Sequence, residues 1–115
     1  MQTIGILGCG LMGSGIAQVC AQSGYRTIVR EVDQSLVDQG LGRIKKFLNE
    51  GVKRGKVSTE DRDKVMANLS GTTQVADLAE VDIVIEAIVE NLQAKQKIFL
   101  WGLFLAEPAM LLLRI

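Results

Sequence analysis

Residues 6–17, ILGCGLMGSGIA, place four glycines within twelve positions. They begin in an apolar strand pattern, Thr3–Leu7, and run into residues 12–23, where Ile16, Val19 and Cys20 recur at helical spacing. A backbone without Cβ atoms turns sharply and lets a ligand reach its amide groups. The stretch therefore predicts a phosphate site between a strand and a helix.

The spacing of these glycines matches the G-x-G-x-x-G pattern of dinucleotide-binding loops. In that pattern Gly8 allows the tight turn, Gly10 lets the backbone meet a diphosphate, and Gly13 lets the helix pack closely on the strand. The diphosphate sits at the positive end of the helix dipole. The predicted cofactor-binding residues of this loop are Gly8, Gly10, Leu11, Met12 and Gly13.

Glu31 supplies the acidic residue expected about 20 residues after such a loop. It closes a second predicted strand, residues 25–32, and its carboxylate accepts hydrogen bonds from ribose hydroxyls while repelling a 2′-phosphate. The sequence thus favours NAD over NADP. Arg30 complicates this, because alternation turns it to the other face while its length allows it to curl back toward a phosphate. The alternative is an ordinary glycine-rich turn with Glu31 as a solvated strand end.

The remaining residues alternate between helical and strand patterns. Helices are predicted from Gln34 to about Lys53, after Ser58, and over residues 92–105, and strands over residues 69–73, 81–87 and 109–113. Apolar residues Leu36, Val37, Leu41, Ile44, Phe47 and Leu48 are predicted to share one face of the first of these helices. This order specifies an α/β fold: a Rossmann-type parallel sheet of about five strands with helices on both faces.

The composition bounds what the chain can bind. Its 115 residues, 48% of them hydrophobic, predict one domain, residues 1–115, with a divergent apolar tail from about residue 100. Thirteen basic and thirteen acidic residues leave no net charge to attract nucleic acid or an anionic membrane. Two cysteines, no export signal and no run long enough for a membrane helix indicate a cytoplasmic protein with reduced thiols. No residue is assigned to a metal site.

Histidine is absent from the sequence. It is the side chain most often used for proton transfer near neutral pH. Glu86 and Glu90 are the acidic residues that could accept a proton in place of a histidine, and ordinary carboxylates are weak bases. We assign no catalytic residue.

A second motif makes a family resemblance specific. Residues 6–18, together with Glu86, Ala87, Glu90 and Lys95 in the run IEAIVENLQAK, resemble the N-terminal NAD-binding domain of the 3-hydroxyacyl-CoA dehydrogenases, including 3-hydroxybutyryl-CoA dehydrogenases. The similarity runs from Thr3 to about residue 99. It implies that Ala87, Glu90 and Lys95 line the nicotinamide side of NAD. The alternative for Glu90 and Lys95 is a surface ion pair on a helix.

The resemblance also implies a second ligand and a missing part. In the family, coenzyme A lies against the long helix after the second strand, which here would involve Lys53, Arg54 and Lys56, although basic residues at a helix end also favour the dipole alone. The family's catalytic histidine, glutamate, serine and asparagine, and its C-terminal helical domain, follow the shared region. We therefore expect a truncated or frame-shifted enzyme that is inactive alone and that forms a homodimer or larger assembly. The rival interpretation is a non-catalytic nucleotide-binding or interaction module.

Overall fold

The computed structural model describes residues 3–8, 10–86 and 111–114. In chain order the elements are β1 (Thr3–Leu7), α1 (Leu11–Gln22), β2 (Arg26–Arg30), α2 (Gln34–Lys53), α3 (Thr59–Asn68), β3 (Leu69–Thr72), a 3-10 helix (Val75–Leu78), β4 (Ile83–Glu86) and β5 (Leu111–Arg114). The predicted helix over residues 92–105 lies outside the described residues. Among the helices that are described, none is long and apolar enough to cross a membrane.

The five strands form one parallel sheet in the order β3-β2-β1-β4-β5. The predicted α/β class and parallel sheet are confirmed. The crossovers run outward from β1 in both directions, so the order of the strands reverses between β1 and β4. Ligands of open parallel sheets bind at the carboxyl ends of the strands beside such a reversal.

Strand β1 is buried on both faces, which explains its continuous apolar sequence. On one face Ile4 and Ile6 pack in a core with α1, α2 and α3, to which the helices contribute Ala17, Cys20, Ala21, Ile44, Leu48 and Val65. On the other face Leu7 packs with Leu78, Val81 and Val84. The three described α-helices therefore lie on one face, and the 3-10 helix lies on the other.

Capping residues fix where the helices begin. The Asp33 carboxylate accepts a hydrogen bond from the Leu36 amide at 2.9 Å, and the Ser58 hydroxyl accepts one from the Asp61 amide at 3.0 Å. Both caps satisfy amides that have no partner within the helix. The predicted start of α2 at Gln34 is therefore confirmed, as is the N-terminal cap at Ser58.

The structure differs from the sequence prediction in several places. Strand β2 is shorter at both ends than residues 25–32, and β4 begins at Ile83. Of the strand predicted over residues 109–113, residues 109 and 110 lie outside the described residues. The late start of β4 follows from a turn in which the Val81 amide bonds the Leu78 carbonyl. Phe47, predicted on the inward face of α2, is 62% exposed because the buried stripe runs through Val37, Gly40, Ile44 and Leu48.

Candidate functional site

The glycine loop begins with a turn that requires glycine. Gly8 has φ of 98°, in the left-handed region that residues with a Cβ rarely adopt. Its amide donates to the Arg30 carbonyl at 2.9 Å. The turn after β1 is therefore bonded directly to the end of β2, and it redirects the chain into α1.

Gly10 is the N-cap of α1, and its missing side chain leaves open space. Its φ of −70° and ψ of −164° are accessible to any residue. Apart from its chain neighbours, a Cβ at this position would meet no atom of the described residues within 4 Å. No contact among the described residues therefore explains why a glycine stands here, whereas a ligand close to the backbone would.

The N-terminus of α1 is suited to an anion. No side chain caps it and no acidic residue lies in its first turn. The first amides of a helix have no intrahelical acceptor and carry the positive end of its dipole. Leu11, Met12 and Gly13 form this first turn, in which Gly13 is buried and Met12 is 58% exposed. A diphosphate placed here would satisfy those amides.

Glu31 lies beside this loop because β1 and β2 are neighbours. Leu7 pairs with Arg30, so Gly8 and Glu31 each follow the carboxyl end of an adjacent strand. The Glu31 amide donates to the Thr72 carbonyl at 3.1 Å, and the residue is partly buried. The structure thus brings Gly8, Gly10, Gly13 and Glu31 to one edge of the sheet, as the motif predicts.

Strand β4 ends at the same edge, with Glu86 as its last residue. The last residue of β4, Glu86, is fully buried and lies opposite Leu7 in the sheet. Ala87, Glu90 and Lys95 lie outside the described residues, so their assignment stays a prediction.

Cys20 lies in the helix-side core, the cluster formed with α1, α2 and α3. Burial raises the pKa of its thiol, which remains a protonated packing group.

Two polar contacts at the site were not predicted from the sequence. The Arg30 Nε donates to the Thr73 carbonyl at 3.2 Å, and the Arg43 Nη1 donates to the Ser14 hydroxyl at 2.9 Å. Each joins residues far apart in the chain. The sequence indicates only that Arg30 and Ser14 are near the site, because Arg30 adjoins Glu31 and Ser14 adjoins the glycine motif.

Burial perturbs the cation at the end of β2. Loss of water around the partly buried guanidinium lowers the pKa of Arg30, and the nearby Glu31 charge raises it in part. The two adjacent side chains therefore interact electrostatically, while the Arg30 Nε is directed to the loop after β3.

Cavities lie beside the described helices. One of about 300 Å³ lies between α1 and α2 and is lined by Gly15, Val19, Arg43 and Phe47 among others. A larger one of about 410 Å³ lies between the C-terminal end of α1 and α3, where Lys56 and Lys64 contribute to its wall. The residues that line the larger cavity include Gly24 and Asn68, which precede β2 and β3, whereas the glycine loop follows the carboxyl end of β1. We therefore do not assign the larger cavity as the cofactor site, despite its size.

Comparisons with known proteins agree with this geometry. The sequence profile of the 3-hydroxyacyl-CoA dehydrogenase NAD-binding domain matches residues 3–112. The chain is 44% identical over 96 residues to the glyoxysomal fatty acid beta-oxidation multifunctional protein MFP-a of Brassica napus, covering 84% of this chain and 13% of that protein. It is 41% identical over 99 residues to a 3-hydroxybutyryl-CoA dehydrogenase of Mycobacterium tuberculosis, covering 86% of this chain and 35% of that enzyme.

Solved structures give the same result. M. tuberculosis FadB2 superposes with a TM-score of 0.93 at 37% identity, covering 99% of this chain and 40% of that one. The (S)-3-hydroxybutyryl-CoA dehydrogenase PaaH1 of Ralstonia eutropha superposes with a TM-score of 0.90 at 33% identity, covering 96% of this chain and 40% of that one. The chain thus spans well under half the length of these relatives. Its glycine loop, the acidic residue beside it and the sequence match all agree, and the chain belongs to the NAD-binding domain family of the 3-hydroxyacyl-CoA dehydrogenases.

Proposed function

We propose that this chain holds NAD along the carboxyl edge of its sheet for hydride transfer at C3 of a 3-hydroxyacyl-CoA. The observation that carries the proposal is the open N-terminus of α1, where Gly10 faces space that no described protein atom fills. In this arrangement residues 10–13 bind the diphosphate and Glu31 binds the ribose hydroxyls. Ala87, Glu90 and Lys95 are proposed to line the nicotinamide side.

The reaction needs one group that the chain does not supply. Bound NAD provides the acceptor for the hydride that leaves C3 of the substrate, and a base must take the proton of the C3 hydroxyl as the ketone forms. The sequence contains no histidine. The residues of this chain therefore position the cofactor, and we expect no turnover from the chain alone.

Substitution at Gly10 tests cofactor binding without relying on a folding defect. Asp is a better N-cap than Gly and its charge favours the helix dipole, so Gly10→Asp preserves or raises stability. The same charge occupies the proposed diphosphate position, and we expect calorimetric titration to show loss of NAD binding. Gly42→Asp is the matched control, because a Cβ at Gly42 also meets no atom of the described residues within 4 Å. Undiminished NAD binding by Gly10→Asp would contradict the proposal.

The groove between α1 and α2 is proposed to receive the nucleotide part of coenzyme A. Phe47 and Val19 are 62% and 61% exposed at this groove, and Arg43 lies beside them. An exposed aromatic face next to a guanidinium suits an adenine ring and a phosphate. Lys53 and Arg54 end the same helix, although cations there also favour its dipole.

Titration with coenzyme A tests the groove. Phe47→Ala is expected to weaken binding about tenfold by removing the stacking surface. Tyr25→Ala is the control, because Tyr25 is a second exposed aromatic that does not line the groove. Equal loss of affinity in both variants would indicate nonspecific aromatic contact.

A non-catalytic nucleotide-binding or interaction module is the second candidate, and the absence of histidine favours it. Turnover of an acetoacetyl-CoA substrate by the purified chain would exclude it.

We also propose self-association, because strands β3 and β5 end the described sheet and unpaired strand edges favour pairing. Light scattering that shows a monomer across micromolar concentrations would contradict this. The cytoplasmic location expected from the sequence stays a prediction.

A further inference from the structure

The loop after β3 is bonded to the end of β2 by both backbone and side chain. The Glu31 amide donates to the Thr72 carbonyl at 3.1 Å, and the Arg30 Nε donates to the Thr73 carbonyl at 3.2 Å. Residues 73–78, which we name the β3 loop, include the 3-10 helix. This loop therefore borders Glu31, the residue proposed to bind the ribose.

The β3 loop is also ordered from within. The Thr72 hydroxyl accepts from the Gln74 amide at 3.0 Å and bonds the Asp77 carboxylate. Leu78, at the end of the loop, is fully buried against Leu7 and Val84. The end near Leu78 is thus held by packing, whereas the end near Thr73 is held to β2 by Arg30.

Alternation along β2 sets where Arg30 points. Thr27 and Val29 are fully buried, with Val29 in the helix-side core, whereas Ile28 packs against the opposite core. Arg30 shares the face of Ile28 because side chains two apart lie on the same side of a strand. Its guanidinium is therefore directed by the Thr73 carbonyl away from the face that carries α1 and α2.

We propose that Arg30 is a positioning residue that fixes the β3 loop beside the adenosine end of the site and is thereby withheld from a 2′-phosphate. A cation next to the ribose-binding residue ordinarily accommodates that phosphate and favours NADP. Here the guanidinium is held by a backbone carbonyl, so Glu31 alone selects the cofactor. This inference rests on the proposed function, since it concerns the same cofactor site.

Hydrogen exchange on the free chain tests the tether without any cofactor. Arg30→Met removes the donor and keeps much of the side-chain volume, and we expect the amides of residues 73 and 74, at the end that Arg30 holds, to exchange about tenfold faster. Arg26→Met makes the same substitution at the exposed start of β2 and should leave these amides unchanged. Unchanged exchange in Arg30→Met would overturn the proposal.

Titration with NAD and NADP tests the selection. Glu31→Gln removes the charge that repels the 2′-phosphate, so we expect it to weaken NAD binding about tenfold and to raise the affinity for NADP through the lost repulsion alone, with no further change when Arg30→Met is added. If Arg30 instead moves freely to the 2′-phosphate, the double variant Glu31→Gln, Arg30→Met will bind NADP more weakly than Glu31→Gln, which would overturn the inference. Failure of the unsubstituted chain to bind either nucleotide would contradict the proposed function, while hydrogen exchange would still decide the tether.

Discussion

Gly8 and Gly10 lie two residues apart and are glycines for different reasons. Gly8 adopts φ of 98°, so Gly8→Ala places a Cβ in a strained conformation and should lower the free energy of unfolding by about 1–2 kcal/mol. Urea denaturation measures this change. Gly42→Ala is the control, because an exposed helical glycine replaced by alanine gains about 1 kcal/mol. Equal stability of Gly8→Ala and the original chain would show that the turn adopts another conformation.

Cys20 makes stability depend on alkaline pH. Burial raises the pKa of its thiol above the ordinary value of 9.0. Below that value the thiol is protonated in both states and its contribution is constant. Above it the unfolded chain loses the proton first, so the folded state binds more protons and the free energy of unfolding falls as pH rises.

Unfolding at several pH values from about 8 to about 10 tests this dependence, since that range spans the unperturbed thiol pKa. Cys20→Ala is expected to be less stable at neutral pH because it leaves a small cavity, yet its stability should fall less steeply with pH. Parallel curves for the two proteins would show that Cys20 does not contribute.

At the scale of elements, the packing of α2 on β3 depends on Gly71. A Cβ built on Gly71 would lie 2.2 Å from Cγ1 of Val37, a buried residue of α2. Gly71→Ala should therefore lower the free energy of unfolding by about 1–3 kcal/mol through overpacking. Val37→Ala in the same chain removes the clashing atom, so the double variant should lose less stability than the sum of the single variants. Additive losses would exclude a direct clash.

The elements also show what a sequence can predict. The bounds of α2 follow from local features, namely the Asp33 cap and the apolar stripe, and the structure reproduces them. The exposed position of Phe47 depends on which edge of the stripe meets the sheet, which local periodicity leaves open. Strand ends were less predictable, because the pairing partner decides where β2 stops.

Part of the candidate site could likewise be predicted from the sequence, and part could not. Its glycines and Glu31 belong to one contiguous βαβ unit, so their spacing alone predicts that they meet. The contacts of Arg30 with Thr73 and of Arg43 with Ser14 join residues 43 and 29 positions apart. Such pairs depend on strand order and helix packing, and no local pattern encodes them.

At the scale of the whole molecule, the candidate cofactor site forms only when β1 and β2 lie side by side. Strand β1 pairs with β2, and the described site residues follow the carboxyl ends of these two strands, in the turn after β1, in the first turn of α1 and directly after β2. An unfolded chain has no such edge, so a ligand that binds only the folded state stabilises it. NAD at one hundred times its dissociation constant should raise the free energy of unfolding by about 2.7 kcal/mol.

Urea denaturation with and without NAD measures this linkage. Gly10→Asp should unfold at the same or a higher urea concentration than the original chain in buffer, because Asp caps α1, but NAD should not shift its midpoint. Gly42→Asp should respond to NAD as the original chain does. An equal NAD shift in all three proteins would place the nucleotide away from α1, whereas a shift lost only in Gly10→Asp would identify the N-terminus of that helix as the point where cofactor binding and folding are coupled.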